Sequence, residues 1–219
     1  MDQFNPRDMI MTPLFGLMNF LLIFLVPVIT MRLFSEEKKL GTIELLFTYP
    51  LTELQMVMGK FLAAVTVMFV IYGFSFIYFI LYFKYFAGTP GIDAGFFATL
   101  STWIKNAPWG TVAAGYLGLF LVSTSFLSFG MWISSLTSDQ VSSALGTIGG
   151  LLLFWVIGAG KIDAQPPLSD VLAQLSITEH SQNFSKGIID THDVVFFVCF
   201  ILFFLYLTVQ ILEVRKWKD

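Results

Sequence analysis

Five stretches of this chain carry no charged side chain over a length that can cross a bilayer. No other feature limits its fold as severely. They are Met9–Met31, Phe61–Phe83, the interior of the uncharged block Asn106–Ser138, Gln140–Gly160 and Val194–Leu212. A hydrocarbon core of about 30 Å needs roughly 20 helical residues at about 1.5 Å each. Lipid offers backbone N–H and C=O groups no partner, so a spanning segment is either a helix or a strand of a closed barrel. These runs are continuously apolar rather than alternating, and about twice the length of a barrel strand, which leaves helices. Composition agrees: 56% of the residues are hydrophobic and 12% charged, with a mean hydropathy of +0.78. A soluble domain carries about twice that charge. The expected fold is an all-α integral membrane protein, a single domain over residues 1–219, with spans at 9–32, 61–84, 111–136, 140–160 and 194–213.

The net charge of −3, without a basic block, argues against nucleic acid as a partner. Cys199 is the single cysteine and cannot form an internal disulfide. The first apolar run is too long for the h-region of a cleaved signal peptide, about 7–15 residues. Five spans place the termini on opposite sides. With the C-terminus in the cytoplasm, the inner segments hold Arg32, Lys38, Lys39, Lys60, Arg215, Lys216 and Lys218, and the outer ones Arg7, Lys84, Lys105, Lys161 and Lys186. The bias sharpens next to the membrane, where Arg32 and Lys60 flank the first loop and Trp217 joins the basic C-terminus.

The loop 33–60 carries more order than a solvated linker needs. The first helix is expected to continue through Ser35 to Leu40, with Lys38 and Lys39 at its negative end. Gly41 suits a left-handed stop. Thr42 suits the N-cap of a new helix, and Glu44 falls in its first turn. Ile43, Leu46 and Phe47 share one apolar face, and Pro50 ends the element. Thr52 and Gln55 have capping-box spacing ahead of the next span. So short a helix must pack on something. Either it rests on lipid headgroups, or it docks on a cytosolic protein.

The stretch MRLFSEEKKLGTIELLFTYPLTELQMVMGKF resembles the first cytoplasmic loop of bacterial type-2 ABC exporter permeases, and is closest to the gliding-motility-associated, GldF-like group. YLGLFL at 116–121, SSLTSDQ at 134–140 and LSITEHSQNFSKGIIDTHDVVFF at 175–197 extend the similarity over most of the chain. The resemblance implies a coupling helix seated in a cleft of a separate ATPase subunit. It carries over to Glu36, Glu37, Gly41, Thr42, Glu44 and Pro50. It also implies a second permease subunit, with ATP and Mg held by the partner and no cofactor in this chain. The location it implies is the bacterial cytoplasmic membrane. Members of that family usually have six spans after a short amphipathic helix. Here eight residues precede the first run, so the first span is expected to be absent.

No G-x-x-x-x-G-K-[ST] loop occurs in these residues, so energy from ATP is expected to come from a separate protein. Neither G-x-S-x-G nor H-E-x-x-H is present, and no enzyme activity is assigned to the chain. Ser142, Gly146 and Gly150 recur every four residues, a spacing that lets helices approach closely within the chain or between subunits. Thr124 and Ser128 share a face of the third span and are weak candidates for a substrate path. No acid or base lies in the core of a span, which argues against an intrinsic ion relay. In the external loop 161–193, Leu168, Val171, Leu172 and Leu175 form a helical stripe that Ser169 or Asp170 could cap, read as an interfacial helix. His180 and His192 are expected as solvated loop residues, and no metal site is assigned. The leading expectation is an exporter subunit. The alternative is an ATPase-linked scaffold or force-transmitting subunit that moves no solute.

Overall fold

The computed structural model describes residues 6–44, 52–86, 109–160 and 176–216. All regular elements among them are helices: α1 (Pro6–Thr30), α2 (Ser35–Lys39), α3 (Glu53–Phe86), α4 (Trp109–Leu136), α5 (Gln140–Gly160), α6 (Ile177–Ser185) and α7 (Thr191–Lys216). Five of these helices are long and apolar enough to cross a membrane.

The arrangement centres on α4. Within the most apolar window of each spanning helix, 72% of α4 is buried, against 17–33% in the other four. α1, α3, α5, α6 and α7 all pack on it. Small residues make this possible, because a side chain lost from one helix lets another helix fill the space. A Cβ on Gly115 would collide with the ring of Phe15, one on Gly118 with Phe184, and one on Gly130 with Thr30. Phe15 and Thr30 are fifteen residues apart in α1, as Gly115 and Gly130 are in α4. The two helices therefore run side by side in the same direction for about 22 Å. α5 offers its own recess: a Cβ on Gly150 would meet the ring of Phe129. That ring also lies 5.1 Å from Phe204 of α7 and 5.5 Å from Phe154 of α5, both edge-on. Such aromatic pairs add to burial through their geometry.

The hydroxyls of α4 do not make it a polar helix. Ser123 donates to Phe120 O at 2.9 Å, Thr124 to the same carbonyl at 2.7 Å, Ser125 to Leu121 O at 2.9 Å and Ser128 to Ser125 O at 2.7 Å. Each is satisfied within its own helix. Tyr72 Oη donates across to Leu119 O at 3.0 Å, tying α3 to α4.

Two expectations change, and a further helix is seen in the external loop. α1 stops at Thr30 instead of running to Leu40, and the chain turns through residues 31–34 before α2 begins. α3 starts at Glu53, eight residues before the predicted span, because the capping box forms: Thr52 N–H donates to Gln55 Oε1 at 3.1 Å, and Gln55 N–H to Thr52 Oγ1 at 3.3 Å. In the external loop a helix forms at Ile177–Ser185, capped by Ser176 Oγ, which accepts from Glu179 N–H at 3.2 Å. It ends in a Schellman turn at Gly187 (φ +82), with Ile188 N–H on Asn183 O at 2.9 Å. The stripe at 168–175 and its caps Ser169 and Asp170 lie outside the described residues.

Candidate coupling elbow

α2 has only five residues and no side-chain cap of its own at Phe34. A helix begins with four N–H groups that lack intrahelical partners. Here a distant residue supplies the acceptor. Ser134 Oγ, on the last turn of α4, accepts from Phe34 N–H and from Ser35 N–H, each at 3.1 Å. Phe34, Ser35 and Ser134 are completely buried. Ser35 Oγ lies 3.2 Å from Ser134 Oγ and donates to Met31 O, bridging the turn between α1 and α2.

Two further ties hold the elbow. Lys60 of α3 pairs with Glu37, donates to Leu33 O at 2.6 Å and lies 4.9 Å from the centre of the Phe34 ring. This pair is mostly sheltered, with side chains 19% and 27% exposed. On the other flank Lys38 Nζ donates to Ser135 O, at the negative end of α4. Lys39 reaches Asp139 at 3.3 Å. Asp139 is the N-cap of α5, accepting from Ser142 N–H at 3.1 Å. That hydrogen bond and, after it, the Lys39 contact hold the Asp139 carboxyl below its ordinary pKa of 3.8. The Arg32–Glu36 contact, at 4.0 Å between exposed groups, contributes little.

The residues predicted for coupling fall on both sides of this elbow. Glu37 is built into it. Gly41 adopts the expected left-handed conformation (φ +70), and Leu40, Gly41, Thr42 and Glu44 form an exposed tip. Thr42 Oγ1 donates back to Glu37 O at 3.3 Å. Ile43, expected on a docking face, is instead 4% exposed and belongs to the chain's own core. Leu46, Phe47 and Pro50 lie outside the described residues. Gly146 and Gly150 pack on Ile133 and Phe129 of α4 within the same chain, while Ser142 is exposed and bound to Asp139. Thr124 and Ser128 are buried, their hydroxyls bound to carbonyls of their own helix. His180 is buried against Asp193 rather than solvated.

Sequence reasoning missed Lys60, Ser134 and Asp139 as parts of the elbow. Lys60 read as a flanking charge, and nothing in the sequence sets Ser134 apart from the other hydroxyls of α4. The only local signal was Asp139 three residues before Ser142, a cap pattern that says nothing about Lys39.

The elbow gathers the end of α1, the start of α3, the end of α4 and the start of α5 at one end of the bundle. Residues 1–214 match the model of the ABC-2 family transporter proteins. The chain belongs to this family. It is thus a permease subunit of an ABC transporter, a multi-pass membrane protein and not itself the catalytic subunit. No curated protein matches the permease in sequence.

Proposed function

We propose that the permease is the export subunit of a transporter driven by a separate cytosolic ABC ATPase, and that the elbow is its coupling handle. The observation that carries this reading is the clamp itself. The exposed tip of Leu40, Gly41, Thr42 and Glu44 follows an α2 that is tied to the turn after α1 through Ser35, to α3 through Lys60, to α4 through Ser134 and Ser135, and to α5 through Asp139. A push on such a tip displaces helices rather than bending a loop. The resemblance of the loop to GldF-like permeases supports the same assignment. In this reading the elbow faces the cytoplasm of a bacterial cell, the C-terminus lies on the same side, and the ATPase holds ATP and Mg. A second permease subunit, of the same or a related chain, completes the path for the exported molecule between the two.

The test is a purified complex with its ATPase in sealed vesicles, comparing wild type with Leu40→Asp and Glu44→Lys. Both positions are exposed, so the permease should fold and insert normally. ATP-driven export should fall at least tenfold, with ATP hydrolysis no longer responding to the permease. Unchanged stimulation and export in both variants would refute the coupling role. ATP-dependent movement of the permease without any transported species would assign it to force transmission instead.

A further inference from the structure

At the opposite end of the bundle from the elbow, α6 is fastened to the start of α7 by a buried carboxylate. Asp193, in the first turn of α7, is 3% exposed. Both of its oxygens are held by α6. His180 Nδ1 lies 2.6 Å from Oδ1, and Asn183 Nδ2 donates to Oδ2 at 2.8 Å. Those two contacts would suffice to dock one helix on the other. His192 is the addition they leave unexplained. Its side chain is 72% exposed, and its Nδ1 stands 3.9 Å from the Oδ1 of Asp193, its neighbour in the chain.

One ligand atom from each of His180, His192 and Asp193 lies within 4.8 Å of the others. The two imidazole rings are 5.4 Å apart between centroids and tilted by 34°. In a tetrahedral site, a metal–nitrogen bond of about 2.0–2.1 Å places each ring centre about 3.2 Å from the ion, and hence the two centres about 5.2 Å apart. The observed spacing is close to that value. His180 is steadied by stacking on Phe196, 4.2 Å between ring centres. Asn183 fixes the far oxygen of the carboxylate, as metal-bound carboxylates are commonly held.

We propose that His180, His192 and Asp193 form a binding site for one divalent cation of the zinc class at the junction of α6 and α7. Two imidazoles and one carboxylate suit a borderline transition metal, whereas magnesium and calcium favour oxygen ligands. The cation takes the place of the proton shared between His180 and Asp193, which leaves to water. Water fills the remaining coordination position, reached past the exposed His192. Loaded, the site draws His192 into the clasp and fastens α6 to α7 by metal bonds.

The test is equilibrium dialysis of the full-length permease in detergent, stripped with a chelator and then exposed to Zn²⁺, with bound metal counted per chain. Wild type should hold one zinc per chain and unfold at a higher temperature when loaded. His192→Ala removes an exposed ligand without disturbing the buried pair. It should weaken binding at least tenfold and abolish the thermal shift. Asn183→Ala should weaken binding by about tenfold, the lower end of the effect of outer supporting residues. Zinc well below one per chain in wild type would overturn the proposal, as would His192→Ala binding zinc with wild-type affinity.

Discussion

Ser134→Ala is the sharpest test of how the elbow is built. The substitution removes one buried oxygen and leaves α4 its full set of backbone hydrogen bonds. Two N–H groups, those of Phe34 and Ser35, lose their shared acceptor in a completely buried setting. Leaving a buried donor unpaired costs about 1–3 kcal/mol. The two donors are adjacent and relax together, and removal of an ordinary helix cap costs about 1 kcal/mol. A destabilisation of about 2 kcal/mol is therefore expected, concentrated in α2. At about 1.4 kcal/mol per decade, this raises the population of the opened elbow by about 30-fold. Hydrogen exchange followed by mass spectrometry on the detergent-solubilised permease reads it directly. Amides of residues 34–40 should exchange about 30-fold faster, with α6 and the middle of α4 unchanged. Unaltered exchange in α2 would refute Ser134 as its cap. An equal loss of protection throughout the bundle would show that α2 does not open as a separate unit.

Glu37→Gln and Lys60→Met should each destabilise the permease, and a double-mutant cycle on thermal unfolding should give a coupling of about 1–2 kcal/mol, since the partners are sheltered and in contact. A coupling near zero would remove that pair from the clamp. Gly150→Ala should cost about 1–3 kcal/mol because the new methyl group meets the Phe129 ring. Gly149→Ala, in open space one residue away, should be neutral or slightly stabilising. Equal effects of the two glycine changes would contradict the packing of α5 on α4. Asp139 has a lowered pKa, so its cap and its contact with Lys39 are fully present above the unfolded value and disappear as pH falls through the folded one. The difference in unfolding temperature between wild type and Asp139→Asn should therefore be constant from about pH 5 to 8, begin to shrink near the ordinary carboxylate pKa of about 4, and vanish only once the pH lies below the lowered folded value. A difference that survives at lower pH would detach the effect from carboxylate charge.

Residue by residue, the two ends of the bundle differ in how legible they were. Gly41 announced its left-handed turn and Thr52 with Gln55 their capping box, because each depends on neighbours within a few positions. Ile43 shares a helical face with Leu46 and Phe47 in the sequence, but which way that face points depends on how the elbow sits against the bundle. His180 lies in a polar stretch that reads as loop. Its burial depends on Asp193, thirteen residues on, at the start of another helix.

The amino-acid order alone determined that five helices among the described residues are long and apolar enough to cross a membrane, because length, apolarity and the need to pair every backbone group in lipid are local properties of each run. It did not determine which helix stands in the middle. A segment apolar on all sides presents no preferred face, so periodicity is silent about rotation and neighbours. Only the assembled bundle placed Gly115, Gly118 and Gly130 of α4 beneath Phe15, Phe184 and Thr30. Only the assembled bundle brought Ser134 to a helix start about one hundred residues earlier in the chain.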